Sequence, residues 1–393
     1  MADSYIYLDY AASAPLRPEA DEAAREYRSL PCSQANPNSL HTLGRQAARA
    51  LDEARRDLAR SVGCGFRPSD VILTSGGTES NNLALLALAE GARRRDRSRT
   101  LVVLSSIEHD SVLDVASLLR GRGFEVALAA ANREGVVTPE AALDAIGTGS
   151  CALLSVMAAN NETGVVQPTD AICLVAHEAG ALAHVDAVQA FGRIRLDVEH
   201  ADAVSLAAHK IGGPVGTGAL LVRARCPFAP QELGGGQESG RRPGTQDVAG
   251  AVAFAAAAKH VTASLDATRA LVSSRAQHLY ERLCSPDSGI LPTTSTVVDC
   301  DRLPGMVSVM VPAMDSETLV LKLDELGFEV SAGSACSSGS LDPSHVLGAM
   351  GIPRDEALGS LRVSFDERVA ESDLDAFADA LLGIVASSRG VSK

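Results

Sequence analysis

Short apolar runs alternate with amphipathic stretches of ten to fifteen residues between Val71 and Val222. The apolar runs predict strands at Val71–Thr74, Leu101–Ser105, Glu125–Ala129, Ala152–Ala158, Leu182–Asp186, Ala203–Leu206 and Ala219–Val222. The stretches between them predict helices that include Glu79–Glu90, Ser111–Arg120, Pro139–Ile146 and Thr169–Ala179. This alternation is typical of an α/β domain whose mostly parallel sheet is covered by helices on both faces.

The pattern changes after Gly244. A long Ala-rich helical stretch is followed by predicted strands at Ser295–Val298 and Val307–Val311, a helix at Glu317–Leu326, a strand at Leu361–Phe365 and a last helix at Glu371–Val385. The length of 393 residues also exceeds the roughly 250–300 residues at which single cores stop growing. We therefore expect a large α/β domain over residues 15–260 and a smaller α+β domain made of residues 1–14 and 261–393.

Charge and composition exclude several classes of protein. The 35 basic and 49 acidic residues give a net charge of −14, which disfavours sequence-independent binding to nucleic acids. No run of 18 apolar residues predicts a membrane span, and the first residues lack the pattern of a secretion signal, so we expect a cytoplasmic protein. The eight cysteines are scattered, without the spacing of a zinc site, and we expect no metal.

A lysine stands where a buried strand is predicted to end. Lys210 follows the apolar run at Ala203–Leu206 and precedes the turn Gly212–Pro214. Because lysine is seldom fully buried without a partner, such a position suggests that the amine is held or used. A desolvated lysine is a nucleophile that can form a Schiff base with a carbonyl cofactor. From this segment alone, a surface lysine beside a turn remains the alternative.

Two further segments suggest a bound anion and a buried charge. Asp186 ends an apolar strand at the edge where α/β sheets bind ligands, and it would suit the protonated ring nitrogen of pyridoxal phosphate (PLP). A helix N-cap is the competing interpretation of Asp186. The turn Thr74–Asn81 follows a strand and opens a helix, so its backbone N–H groups and the Thr78 hydroxyl can hold a phosphate.

These segments and others, in this order, resemble the group I (NifS/IscS-like) cysteine desulfurases, members of the class V aminotransferase superfamily with PLP fold type I. The similarity extends over nearly the whole chain. It is carried by the motifs at residues 7–12, 36–37, 43–45, 75–80, 108–109, 160–162, 184–187, 209–210, 234–238, 244–245 and 333–336. The resemblance implies a large domain with a mostly parallel seven-stranded sheet and PLP as cofactor.

The resemblance also implies roles around the cofactor ring. Lys210 resembles the lysine that forms the Schiff base with PLP, Asp186 the partner of the ring nitrogen, and Gln189 the hydrogen-bond donor to the ring hydroxyl. His109 is similar to the histidine that stacks on the ring and moves substrate protons. Asn161 resembles the asparagine that contacts both the substrate and a cofactor oxygen.

For the phosphate, Gly77, Thr78 and His209 are similar to the family's ligands. Thr245 resembles the threonine that a neighbouring subunit contributes to the same phosphate, which implies a homodimer. Arg362 matches the arginine that binds the substrate carboxylate, a task suited to a planar bidentate donor. The sequence departs from the family at Ala207, where a Ser or Thr hydroxyl usually binds the phosphate, and weaker PLP retention is therefore expected.

Cys336 indicates the reaction class. It lies in a Ser/Gly-rich stretch, residues 331–340, which we expect to be a mobile loop with little apolar surface to bury a thiol. In a desulfurase, the thiolate takes sulfur from L-cysteine, leaving L-alanine and a persulfide on Cys336. The alternatives are a selenocysteine lyase or another class V PLP enzyme, which need no such thiol, and a PLP-free binding protein. The sulfur acceptor stays open between an iron–sulfur scaffold, tRNA-thiolating enzymes and DNA phosphorothioation machinery.

Overall fold

The computed structural model describes residues 5–294, 301–312, 314–333 and 344–390. The predicted strand at residues 295–298 and the cysteine at position 336 lie outside these described residues.

The large sheet contains seven strands in the described residues, in the order β2-β8-β7-β6-β5-β3-β4. The strands are β2 (Val71–Thr74), β3 (Leu101–Ser105), β4 (Glu125–Ala129), β5 (Cys151–Met157), β6 (Leu182–Asp186), β7 (Ala203–Ala207) and β8 (Gly218–Val222). Only β8 runs antiparallel to its neighbours β2 and β7, among the described strands of this sheet. The predicted mostly parallel, seven-stranded α/β sheet is therefore confirmed.

Helices cover both faces of this sheet. They are α1 (Pro18–Ser29), α2 (Thr42–Val62), α3 (Gly77–Arg95), α4 (Asp110–Leu113), α5 (Val115–Gly121), α6 (Pro139–Ile146), α7 (Thr169–Glu178) and α8 (Val248–Ala263). The helix predicted over Ser111–Arg120 is in fact two short helices, α4 and α5, with Asp114 between them. Helix α3 starts two residues earlier than predicted, which places the N–H groups of Gly77 and Thr78 in its first turn.

Helix α8 lies in the interior and packs against α1 and α2. Its alanines, such as Ala251, Ala255 and Ala258, are buried, and their small side chains allow close approach of the helices. Among the described helices, none is by itself long and apolar enough to cross a membrane. α8 and the next helix, α9 (Leu265–Leu283), meet that criterion only as a pair, bent by 73° at their junction. The described residues also contain no cluster of His, Cys, Asp and Glu suited to a metal ion.

A second, antiparallel sheet has the strand order β12-β13-β10-β9. The elements of this part of the chain are β1 (Ile6–Tyr7), β9 (Leu291–Pro292), β10 (Met306–Met310), α10 (Ser316–Glu325), β11 (Phe328–Glu329), β12 (Ser331–Ala332), α11 (His345–Ala349), α12 (Arg354–Ala357), β13 (Ser360–Ser364) and α13 (Glu371–Gly390). Leu8 and Tyr10 belong to the same hydrophobic cluster as Val307, Leu361 and Phe377. The domain boundaries at residues 14/15 and 260/261 stay a prediction.

The N-terminal segment connects the two sheets. Asp9 forms an isolated bridge with Ser364, and the backbone N–H of Ala11 donates to the Ser364 hydroxyl at 2.8 Å. From this anchor the turn of residues 9–13 extends to the carboxyl ends of β6 and β7, where the Gln189 amide donates to Ala11. The fold thus brings a turn held by the small sheet against the ligand-binding edge of the large sheet.

Candidate active site

A cavity of about 200 Å³ lies at the carboxyl ends of the central strands. Eight of the residues predicted from the sequence line it: Gly77, Thr78, His109, Asn161, Asp186, Gln189, His209 and Lys210. The other lining residues are Asn81, Ser111, Met157, Ala159, Val188 and Ala207. The structure therefore brings together most of a site whose members are spread over more than a hundred residues of sequence.

Lys210 is held at the cavity by the N-terminal turn. Its Nζ donates hydrogen bonds to the carbonyl oxygens of Ala11, at 2.6 Å, and Ala12, at 2.9 Å. The short turn that carries it ends at Gly212, which has a φ of +78°. A Cβ at Gly212 would lie 2.6 Å from Arg17 Cγ, so glycine alone fits this turn. The lysine is half-buried and fixed, which disfavours the simple surface-lysine interpretation.

Asp186 is buried at the end of β6. Its Oδ1 accepts the backbone N–H of Val188 at 2.9 Å, and its Oδ2 accepts the Asn81 amide at 2.7 Å. Residues 188–193 form turns rather than an α-helix, so Asp186 is not a helix N-cap. Burial raises the pKa of Asp186, and the two hydrogen bonds and the positive charge of Lys210 oppose that rise.

His109 is the N-cap of α4. Its Nδ1 accepts the backbone N–H of Ser111 at 3.0 Å and lies 2.9 Å from the Ser111 hydroxyl oxygen. An imidazole nitrogen that accepts an N–H carries no proton. The neutral ring of His109 therefore bears its proton on Nε2. Of the two ring nitrogens, Nε2 is thus the hydrogen-bond donor.

The glycines of the predicted phosphate turn are sterically required. Gly76 has a φ of +153°, and a Cβ on Gly77 would lie 2.8 Å from Val188 Cγ2. Helix α3 starts at Gly77, so the first N–H groups of a 19-residue helix point to this end of the cavity. Ala207 lies on the same wall, with its methyl group 3.6 Å from the position that a Cβ on Gly77 would take.

His209 is neutral in this environment. Burial, together with the adjacent charge of Lys210, lowers the pKa of His209 to about 4. Its Nδ1 lies 3.3 Å from the Ser13 hydroxyl, another contact with the N-terminal turn. His209 therefore acts at neutral pH as a hydrogen-bonding group and adds no positive charge to the cavity wall.

Three residues of the cavity wall each have a buried amide oxygen without a hydrogen-bond partner among the described residues: Asn81, Asn161 and Gln189. Buried polar groups are usually satisfied, so such atoms mark where a polar ligand belongs. The site thus offers a lysine amine, a buried carboxylate, a helix N-terminus and open polar atoms within one cavity. This donor set fits the aldehyde, ring nitrogen, phosphate and ring oxygen of PLP.

Arg362 is not among the lining residues and lies behind Asn161. It is in the middle of β13, 2% exposed, with Nη1 donating to the Asn161 carbonyl oxygen at 2.8 Å. Its Nη2 forms an ion pair with Asp9 at 2.8 Å, and its Nε has no partner among the described residues. Arg362 therefore reaches the site through Asn161, and its contact with a substrate carboxylate stays a prediction.

The structure separates Thr245 from the cavity of its own chain. Thr245 is exposed and follows the loop that contains Gly234–Gly236, whereas the cavity is lined by other segments. Cys336 lies outside the described residues. Their roles therefore stay predictions.

Sequence reasoning missed Asn81 and Ser111, which line the cavity and connect Asp186 to His109. The signal for Asn81 was present, because it is four residues after Gly77 on α3 and so lies on the same helix face. Glu108 belongs to the motif at residues 108–109 but had no predicted role of its own. It is fully buried, accepts hydrogen bonds from Ser105 and the Met157 N–H, and burial beside Asp186 raises its pKa to about 8.

Comparison with known proteins agrees with this site. Residues 6–377 match the family model of the class-V aminotransferases, and the chain belongs to this family, whose cofactor is PLP. An IscS-like cysteine desulfurase of Mycobacterium tuberculosis is 40% identical, over 98% of this chain and 97% of the relative. The solved structure of a NifS-like protein superposes with a TM-score of 0.88 at 30% identity, covering 97% of this chain and 99% of the other.

The likeness extends to a structure of SspA in complex with cysteine. It has a TM-score of 0.77 and 30% identity, and the match covers 91% of this chain and 98% of SspA. The first two of these proteins carry the names IscS-like cysteine desulfurase and NifS-like protein, which confirms the resemblance stated from the motifs. Within the class-V aminotransferases, the chain is therefore similar to the cysteine desulfurases in particular.

Proposed function

We propose that this chain is a PLP-dependent cysteine desulfurase that converts L-cysteine to L-alanine and carries the sulfur as a persulfide on Cys336. The observation that supports the proposal most directly is the cavity at which Lys210, Asp186 and His109 meet, in a chain 40% identical to a cysteine desulfurase. When bound, PLP supplies an electron sink that weakens the C–S bond of the substrate.

Residues of the cavity divide the binding of PLP between them. Lys210 would hold the aldehyde carbon through Nζ, and the buried Asp186 carboxylate would pair with the ring nitrogen. The first turn of α3, with Gly77 and Thr78, and the neutral His209 would bind the phosphate. The Gln189 amide nitrogen donates to Ala11, so its open Oε1 would accept a hydrogen bond from the ring hydroxyl rather than donate one, as the resemblance implies.

The substrate is oriented and deprotonated by other groups. Arg362 would bind the substrate carboxylate, and its fixed position between Asp9 and the Asn161 carbonyl keeps the guanidinium ready for this. Asn161 Oδ1 is open to accept a hydrogen bond from an N–H or O–H group of the substrate or the cofactor. Lys210 Nζ would move the proton of the substrate's α-carbon. His109 would donate or accept a proton at Nε2.

In the proposed sulfur transfer, one bond forms at the substrate sulfur and one bond breaks. The Cys336 thiolate attacks the sulfur atom of bound cysteine and an S–S bond forms. The C–S bond breaks, its electron pair stays with the β-carbon, and that carbon takes a proton to give alanine. The thiol of Cys336 becomes a persulfide, so no external oxidant or reductant is required for this half of the reaction.

A homodimer completes the site in this proposal. Thr245 is exposed and does not line the cavity of its own chain, which suits a contribution to the phosphate of a second copy. Large apolar side chains on the surface, Leu40, Val215 and Leu233, are 81–99% exposed and would be covered by that copy.

The persulfide would pass to a sulfur acceptor protein, such as an iron–sulfur scaffold or a thiolation enzyme. The free thiols at six described cysteines suit a reducing cytoplasm.

The test is product analysis with the purified full-length chain. In the presence of PLP, L-cysteine and a thiol reductant, the protein should release alanine and sulfide in equal amounts. Consumption of L-selenocysteine without any turnover of L-cysteine would support a selenocysteine lyase instead. Transfer of the amino group to a keto acid, without sulfide, would support an aminotransferase and contradict the proposal.

A further inference from the structure

Asn81 connects the carboxylate of Asp186 to the imidazole of His109. It is 1% exposed on α3, and its amide nitrogen donates to Asp186 Oδ2 at 2.7 Å and to Ser111 Oγ at 2.9 Å. An amide NH₂ group has two hydrogens, so each of these acceptors receives one. The amide therefore cannot rotate without losing both hydrogen bonds.

A further hydrogen bond connects Ser111 to His109. Ser111 Oγ already accepts from Asn81, and it lies 2.9 Å from His109 Nδ1. A hydroxyl has one hydrogen, and Nδ1 is an acceptor because it also receives the Ser111 N–H. The Ser111 hydroxyl consequently donates to Nδ1, and the direction of every hydrogen bond from Asn81 to the ring is determined.

We propose that Asn81 is a positioning residue of this active site, whose single amide group orients both the Asp186 carboxylate and, through the Ser111 hydroxyl, the imidazole of His109. The inference rests on the proposed function. It deepens that function by adding a residue that acts through its hydrogen bonds to Asp186 and Ser111, and so orients the two groups, Asp186 and His109, that are placed at the cofactor and the substrate.

Each end of this connection has a separate consequence. At Asp186, the Asn81 amide stabilises a buried negative charge, which the cofactor's ring nitrogen needs as its partner. At His109, the hydroxyl of Ser111 adds a second donor at Nδ1 and so favours the tautomer with the proton on Nε2. Loss of the Asn81 amide should therefore affect both the Asp186 carboxylate and the tautomer of His109. Loss of the Ser111 hydroxyl should affect only the tautomer of His109.

The experiment compares Asn81→Leu, which has a similar size but no donor, with Ser111→Ala. Asn82→Ala is the matched control, because Asn82 is the adjacent asparagine and donates only to the backbone oxygens of Thr78 and Ser111. The two measurements are the PLP dissociation constant by equilibrium dialysis and the His109 tautomer ratio by ¹⁵N NMR of the cofactor-free full-length chain. Neither depends on turnover.

Asn81→Leu should weaken PLP binding about tenfold or more, since it removes a hydrogen bond to a charged acceptor. It should also lower the ratio of Nε2–H to Nδ1–H tautomers about fivefold or more. Ser111→Ala should lower the tautomer ratio similarly while changing the PLP dissociation constant less than about threefold, and Asn82→Ala should change neither more than about twofold.

The proposal is wrong if either measurement for Asn81→Leu stays within about twofold of wild type. Thermal melting by circular dichroism monitors folding, and Asn81→Ser replaces the leucine variant if the latter does not fold. Failure of the wild-type chain to bind PLP would contradict the proposed function. The NMR measurement would still test the connection to His109, because it uses cofactor-free protein, so the two failures are distinguishable.

Discussion

The amine of Lys210 donates a 2.6 Å hydrogen bond to the carbonyl oxygen of Ala11. The two residues are 199 positions apart, and Ala11 belongs to the turn that Ser364 anchors to the small sheet. The N-terminal turn therefore holds the lysine amine at the cavity. Entry of PLP requires Lys210 to exchange these carbonyl contacts for a covalent bond.

Lys210 should be the residue that binds PLP covalently. Borohydride treatment of the PLP-loaded chain should remove its visible absorption band and fix a pyridoxyl group on Lys210, as peptide mass spectrometry would show. Lys210→Ala should give no labelled peptide. A label on Lys259 or Lys322, or no label at all, would contradict the assignment.

Ala207→Ser should tighten PLP binding. The methyl group of Ala207 lies on the cavity wall, 3.6 Å from the position of a Cβ on Gly77, so a hydroxyl there would face the proposed phosphate site. One hydrogen bond to a charged acceptor should lower the PLP dissociation constant about tenfold. Ala127→Ser, on strand β4 away from the cavity, is the control. An unchanged constant would show that another group already fills this position.

Cys336→Ala should separate cofactor binding from sulfur transfer. The variant should bind PLP as wild type does and still shift its absorption spectrum on adding L-cysteine, but form no persulfide, since a methyl group cannot accept sulfur. Cys32→Ala and Cys64→Ala, which change a buried and a partly buried thiol, serve as controls. Persulfide is measured by alkylation and mass spectrometry. Alanine production by Cys336→Ala near the wild-type rate would favour the selenocysteine-lyase or a direct-elimination mechanism.

Glu108 should make the stability of the chain depend on pH. Burial raises its pKa to about 8, so between the pKa of the unfolded chain and about 8 the folded state keeps a proton that the unfolded state has lost. Stability from this group is therefore present at low pH and is lost as the pH rises, by up to about 1.4 kcal/mol per pH unit.

Glu108→Gln should remove this slope, because the amide mimics the protonated acid and still accepts from Ser105 and Met157. Urea unfolding at about pH 5, 7 and 8 checks the difference from wild type, with the exposed Glu125→Gln as control. Equal slopes for wild type and Glu108→Gln would mean that Glu108 is already ionised in the folded protein.

The local pattern of apolar and polar residues was sufficient to locate many of the strands in the large sheet. Runs such as Leu101–Ser105 and Leu182–Asp186 were located as observed, because a buried parallel strand is apolar along its whole length. The local pattern did not locate the breaks between consecutive helices. The break at Asp114 between α4 and α5 and the bend between α8 and α9 lie inside stretches whose composition favours a helix throughout.

The sequence by itself determined the family, the strand and helix alternation, and the identity of most cavity residues, because these depend on motifs and on short-range periodicity. Only the tertiary structure decided which of them meet. It pairs Arg362 with Asp9 across 353 positions and Asn81 with Asp186 across 105, and it keeps Thr245 away from its own chain's cavity. The physical reason is that strand order and crossover connections set the distances between side chains, and no local pattern of apolar and polar residues encodes those distances.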